Sequence, residues 1–120
     1  MVWIPDTIPG TATYIYSGSD YIIGFHADAT TIISRVKNVP ELPELPTKLR
    51  VLICNDNGLI GLPKLHKSLE ELYCNNNNIK YLSFDNCSIL RTISILDILN
   101  NPVSTGFNNN LKFQEYLKEL

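Results

Sequence analysis

"CNDNGLIGLPKLHKSLEELYCNNNNIKYL", residues 54–82, begins on Cys-Asn-x-Asn and returns to Cys-Asn-x-Asn twenty residues later. Laying residues 42–62 over residues 62–82 makes the coincidence systematic. Leu42/Leu62, Pro43/Pro63, Leu45/Leu65, Leu49/Leu69, Leu52/Leu72, Cys54/Cys74, Asn55/Asn75, Asn57/Asn77 and Leu62/Leu82 all agree, nine identities in 21 positions. Composition alone would give roughly one or two. A fixed period of this length marks a solenoid, in which one unit cannot bury its apolar side and stacks on copies of itself.

The pattern reaches outward from these two units. Ile93, Leu96, Ile98, Asn101 and Val103 repeat the spacing of Leu69, Leu72, Cys74, Asn77 and Ile79 with an offset of 24 residues, so four extra residues fall in the connection around "SFDNCSIL". Upstream, Ala29, Ile32, Ser34, Val39 and Leu42 match weakly, with Lys37 where the asparagine belongs. A degenerate unit is expected at the end of a solenoid.

The spacing L-x-x-L-x-[LC]-x-x-N-x-L-x-x-L-P resembles the leucine-rich repeat, and "LPELP" and "LPKLH" look like the short repeats of bacterial effector-type proteins. The resemblance spans about residues 29–103. It implies a curved solenoid with a parallel sheet on its inner face and protein binding as the usual role. It stops at the repeats, so no enzymatic activity carries over from effectors. The expected fold is a single domain, 1–120, a β-dominated repeat solenoid of the α/β type. An N-terminal β-hairpin cap (1–28) and a C-terminal helical cap (104–120) would flank about four repeats (29–103).

Elementary chemistry supports the same architecture. In "RVLICN" and "ELYCNN", Leu52 and Cys54 point inward while Val51, Ile53 and Asn55 point outward, the two-residue period of a strand. The chain turns sharply after each strand. An amide side chain has both donor and acceptor, so stacked Asn57, Asn77 and Asn101 would satisfy the turn's backbone groups as a structural ladder. Pro43, Pro46 and Pro63 favour extended segments on the outer side. "PELPELP" also matches a PxxP ligand, although its leucines recur on the solenoid period and favour burial.

Both ends need covering. "TATYIYSGSDYIIGF" reads as two β-rich runs around Ser-Gly-Ser-Asp, a hairpin. "NNNLKFQEYLKEL" reads as a short helix with Phe113, Tyr116, Leu117 and Leu120 on one face and Asn110 as the N-cap.

Charge and motifs exclude several functions. The net charge of −2, with no basic cluster, gives no attraction to nucleic acid or to anionic membrane. No apolar run is long enough to span a bilayer, and "MVWIPDTIPG" does not read as a secretory signal. Three cysteines fit a reducing compartment better than a disulfide framework, so an intracellular, cytoplasmic protein is expected. Asn86-Cys87-Ser88 matches a glycosylation acceptor only formally. Cys54 and Cys74 occupy the inward column, whereas Cys87 in the insertion would be more exposed. His26 and His66 stand forty residues apart, two coils, and no zinc or calcium spacing occurs. Neither a catalytic site nor a metal site nor a cofactor is expected.

Binding residues remain. The outward positions form columns: Thr31, Val51, Glu71 and Ile95; Ile33, Ile53, Tyr73 and Asp97; Arg35, Asn55, Asn75 and Leu99. The turn edge would add Val36, Asp56, Asn76 and Asn100. A solvated sheet face is normally polar outside, yet Ile33, Val51, Ile53 and Tyr73 make a contiguous apolar patch of the kind that marks interaction sites. The partner-binding set is therefore Ile33, Val51, Ile53, Asn55, Glu71, Tyr73, Asn75, Ile95, Asp97 and Leu99, and the expected ligand a protein or peptide. Four strands offer only ~250 Å², against about 800 Å² per partner in a standard interface. Either a peptide binds, or flanks and caps contribute, or two copies associate as a homodimer through the same patch or a solenoid edge.

Overall fold

Thr31 lies opposite Val51, Val51 opposite Glu71 and Glu71 opposite Ile95 in one parallel sheet, and this register sets the architecture. The computed structural model describes residues 6–7, 10–18, 22 and 24–120. In chain order the elements are β1 (Asp6–Thr7), β2 (Thr13–Gly18), β3 (Thr31–Val36), β4 (Val51–Ile53), β5 (Glu71–Tyr73), α1 (Phe84–Leu90), β6 (Ile95–Asp97) and α2 (Asn110–Lys118), with a 3-10 turn at Pro102–Ser104 before the last helix. The sheet order is β1-β2-β3-β4-β5-β6, with β2 to β6 parallel and β1 antiparallel. The described residues form a β-dominated solenoid of about four turns with two helices.

Each turn buries the same columns. Ile32, Leu52, Leu72 and Leu96 form one inward row and Ser34, Cys54, Cys74 and Ile98 the next, every one of them buried. Leu45, Leu49, Leu65 and Leu69 enter the same core from the outer side. The outer chain makes the same bend in three successive coils: the N–H groups of Ala29, Leu49 and Leu69 donate to the carbonyls of His26, Pro46 and His66. These segments carry no helix, as the prolines and the short period dictate. The fourth coil differs. Its connection, longer by four residues, folds into α1, started by the Ser83 hydroxyl, which accepts from the Asn86 N–H at 3.1 Å.

The asparagines bridge neighbouring coils. The Asn77 amide nitrogen donates to the Cys54 and Cys74 carbonyls at 3.0 Å each, while its oxygen accepts from the Asn57 N–H at 2.9 Å and the Leu59 N–H at 3.0 Å. Asn101 repeats this one coil on, donating to Cys74 and Ile98 and accepting from the Ile79 N–H. In the coil that has Lys37 at this position, the Ser34 hydroxyl donates to the Asn57 amide oxygen at 2.6 Å and closes the ladder. Beside each ladder residue the backbone takes a left-handed conformation, at Asp56, Asn76 and Asn100 (φ 58°, 54° and 60°). Such positions favour Asn and Asp after Gly.

Four expectations are corrected. Ser17 and Gly18, expected in the hairpin turn, belong to a strand, while Ser19 and Asp20 lie outside the described residues. Thr13–Gly18 instead runs parallel to β3, and its antiparallel neighbour is Asp6–Thr7. Part of the expected second arm lies outside the described residues, and Ile22 and Gly24–His26 form no strand. Val36 is fully buried rather than on the turn edge. Because β3 pairs with β2 along its whole length, it continues to a third inward position, and its left-handed residue falls at Asn38, two places later than in the other coils. At that delayed turn Gly58 (φ +79°) passes so close that a Cβ there would stand 3.4 Å from the Asn38 Cα.

Asn109, not Asn110, caps α2, accepting from the N–H groups of Leu111 and Lys112. Asn110 instead ties the helix to the sheet, its oxygen accepting from the Ile98 N–H at 2.8 Å. Finally, Cys87 is buried in α1 rather than exposed. The connection lengthened by the four-residue insertion holds a helix whose inward face, Asn86, Cys87 and Leu90, joins the core. Helix α2 covers the last coil through Phe113 and Leu117, with Phe107 edge-on to Phe113 at 5.2 Å.

Candidate functional site

The outward face of the sheet is built by parity. In β4 and β5 the central residue is buried and its neighbours half-buried, so each coil delivers one side chain before and one after each inward leucine. The ten expected binding residues all lie on this face. Ile33, Val51, Ile53, Asn55, Glu71, Tyr73, Asn75, Asp97 and Leu99 are half-buried and Ile95 is exposed.

Strand β2 adds a column that repeat counting missed. Its register places Thr13 beside Thr31, Ile15 beside Ile33 and Ser17 beside Arg35. The alternation in "TYIYSG" was the available signal. The step from β2 to β3 is 18 residues rather than 20, so the period concealed it. With β2 included, five strands present about 300 Å².

The face is divided chemically. At one end Ile15, Ile33, Val51 and Ile53 offer aliphatic surface, edged by the exposed guanidinium-bearing Arg35. Toward the C-terminal end stand polar groups that hold one another in place. The Tyr73 hydroxyl donates to Glu71 Oε1 at 2.7 Å, and the Asn75 amide donates to Asp97 Oδ2 at 2.6 Å. The Asn110 amide reaches the other Asp97 oxygen at 3.3 Å, and Asn55 Oδ1 accepts from the Asn75 N–H at 3.0 Å. The bond to Glu71 raises the Tyr73 pKa, since a phenol donating to a carboxylate resists losing its proton. Tyr73 therefore stays a neutral, oriented ring next to two carboxylates.

The cysteines face the opposite way. Burial pushes the Cys54 thiol up to about 12 and raises Cys74 as well, so neither is a thiolate at neutral pH. His66 Nε2 is 3.1 Å from the Leu45 carbonyl of the preceding coil, while the His26 ring stacks on Tyr14 at 4.7 Å, so each ring is occupied by the solenoid itself. Among the described residues no three His, Cys, Asp or Glu side chains gather as metal ligands, and no helix is long and apolar enough to cross a membrane. What the face can do is present rigid aliphatic and carboxylate groups to a ligand lying across the strands. No family model matches this chain, and no curated protein or solved structure does so either.

Proposed function

We propose that this chain is a leucine-rich-repeat module, non-catalytic and cytoplasmic, that holds a short extended peptide across its inner sheet face. The observation that carries the reading is the unbroken outward row Ile15, Ile33, Ile53 and Tyr73, apolar where a solvated face would be polar. The area of about 300 Å² suits a peptide rather than a globular partner, which needs about 800 Å² on each side. The polarity of the face sets the ligand's chemistry. Apolar side chains sit over Ile33 and Ile53, and a basic residue follows toward Glu71 and Asp97. Buried, unactivated thiols in the central coils support a binding role over a catalytic one.

A random peptide library selected on the protein tests this. Enriched peptides should share apolar residues followed by Lys or Arg, and should lose binding to a folded variant carrying Ile53→Asp and Tyr73→Asp. Peptides that bind the variant equally well would move the site off the sheet face and refute the proposal.

A further inference from the structure

Besides Leu111 on α2, five large apolar side chains among the described residues are exposed away from the sheet, and four of them line two adjoining hollows on one flank. Tyr81 is 72% exposed, Phe84 78% and Leu120 64%. Ile60 and Tyr116, less exposed, border two hollows of about 280 and 160 Å³ that share Leu82 as a common wall. The larger hollow exists because Gly61 falls in the column between Glu41 and Tyr81. A Cβ on Gly61 would meet nothing within 4 Å, so the coil is notched where its neighbours carry side chains.

The extent of this flank sets what can cover it. A fully exposed aromatic side chain offers 150–250 Å², so the five residues together present about 500 Å² of apolar surface. One side of a standard interface is about 800 Å², a little under 60% of it apolar, or about 460 Å². The flank therefore matches one half of a protein interface, which the sheet face does not.

Its features are also self-complementary. The Tyr81 ring lines the larger hollow, and Phe84 follows directly after Ser83 at its edge. Lys80 and Asp85, both exposed, bracket the rings with opposite charges, and neither makes an ion pair among the described residues. A two-fold axis would set Lys80 of each copy against Asp85 of the other while seating each Phe84 in the opposite notch, the reciprocal contact that an isologous interface requires.

We infer that this flank is the interface of a homodimer, formed by two copies of this chain, and that it leaves both sheet faces free. The inference does not rest on the peptide-binding reading.

Sedimentation equilibrium of the wild-type protein and of Phe84→Ser tests it. The wild type should be dimeric at micromolar concentration. Phe84→Ser removes two symmetry-related anchors at once and should raise the dissociation constant on the order of 100-fold. Because Phe84 is solvent-exposed, its replacement should leave the circular dichroism spectrum unchanged. Tyr81→Ser is the second variant if it does not. Lys80→Asp should weaken the dimer, and Asp85→Lys added to it should restore it. A wild type that stays monomeric at high micromolar concentration overturns the inference. So does a dimer that survives Phe84→Ser and Tyr81→Ser, or one broken by Ile53→Asp instead. A different protein seated on the flank of a monomeric chain also overturns it.

Discussion

Replacing Asn77 by alanine should cost more stability than replacing Asn101, although the two occupy equivalent places in successive coils. The difference follows from what each leaves unpaired. Without the Asn77 side chain, the Cys74 carbonyl keeps the Asn101 amide at 2.9 Å, and the Asn75 carbonyl keeps the Asp56 N–H at 3.2 Å. The Cys54 carbonyl and the N–H groups of Asn57 and Leu59 lose the bonds that Asn77 supplied. Without Asn101, Cys74 keeps Asn77, Ile98 keeps the Ser104 hydroxyl and Leu99 keeps the Asn76 N–H, so the Ile79 N–H alone is stranded. An unpaired buried polar group costs about 1–3 kcal/mol. Three such groups, eased by relaxation, give about 3–6 kcal/mol for Asn77→Ala, and one gives about 1–3 kcal/mol for Asn101→Ala. Since a domain is stable by about 5–15 kcal/mol in total, the first substitution removes a large fraction. Equilibrium urea denaturation followed by far-UV circular dichroism reads these losses as a lowered midpoint at unchanged m. Asn78→Ala, at an exposed neighbouring position, is the reference and should stay within about 0.5 kcal/mol of wild type. If Asn77→Ala costs no more than Asn78→Ala, or less than Asn101→Ala, the bridging account of the ladder is wrong.

Two further expectations concern the same columns. Cys54 has its folded pKa raised to about 12 from 9.0, and the Cys74 pKa is raised in the same direction. The stabilisation is therefore complete below the unfolded value and lost as pH rises toward the folded one. Over about three pH units Cys54 alone accounts for roughly 4 kcal/mol. Urea midpoints should fall steeply between pH 9 and 11 in the wild type and less steeply in Cys54→Ala, and an unchanged slope would refute the assignment. At the left-handed turn position, Asn76→Ala should cost about 1 kcal/mol while Asn76→Gly stays near neutral. The exposed Asn76 side chain makes the comparison one of backbone conformation, and equal losses in the two variants would count against it.

The repeat itself was legible because its determinants are local and periodic. Leu52, Leu72, Cys54, Cys74, Asn57 and Asn77 recur at one spacing, and an alternating pattern fixes which face each side chain takes. The ten outward positions followed from that register without any knowledge of the third dimension. Elements that broke the period were hidden. Strand β2 joins the sheet at a step of 18 residues, and its tyrosines Tyr14 and Tyr16 stand in for the leucine and cysteine of the other coils. Pairing along the full length of β3, not any residue within it, delays the first turn to Asn38 and buries Val36.

The same contrast holds at the other end of the chain. Asn108, Asn109 and Asn110 are one residue type in a row, and only the approach of the Ile98 N–H decides that Asn110 holds the sheet while Asn109 caps the helix. The two hollows that adjoin at Leu82 were equally out of reach, since Ile60, Tyr81 and Leu120 on their walls come from three separate parts of the chain. Sequence determined what repeats, because each coil's core and turn are specified by side chains a few bonds apart. Tertiary structure decided where the repetition starts, how it is closed and which exposed groups meet, because those depend on distances between coils that no local pattern encodes.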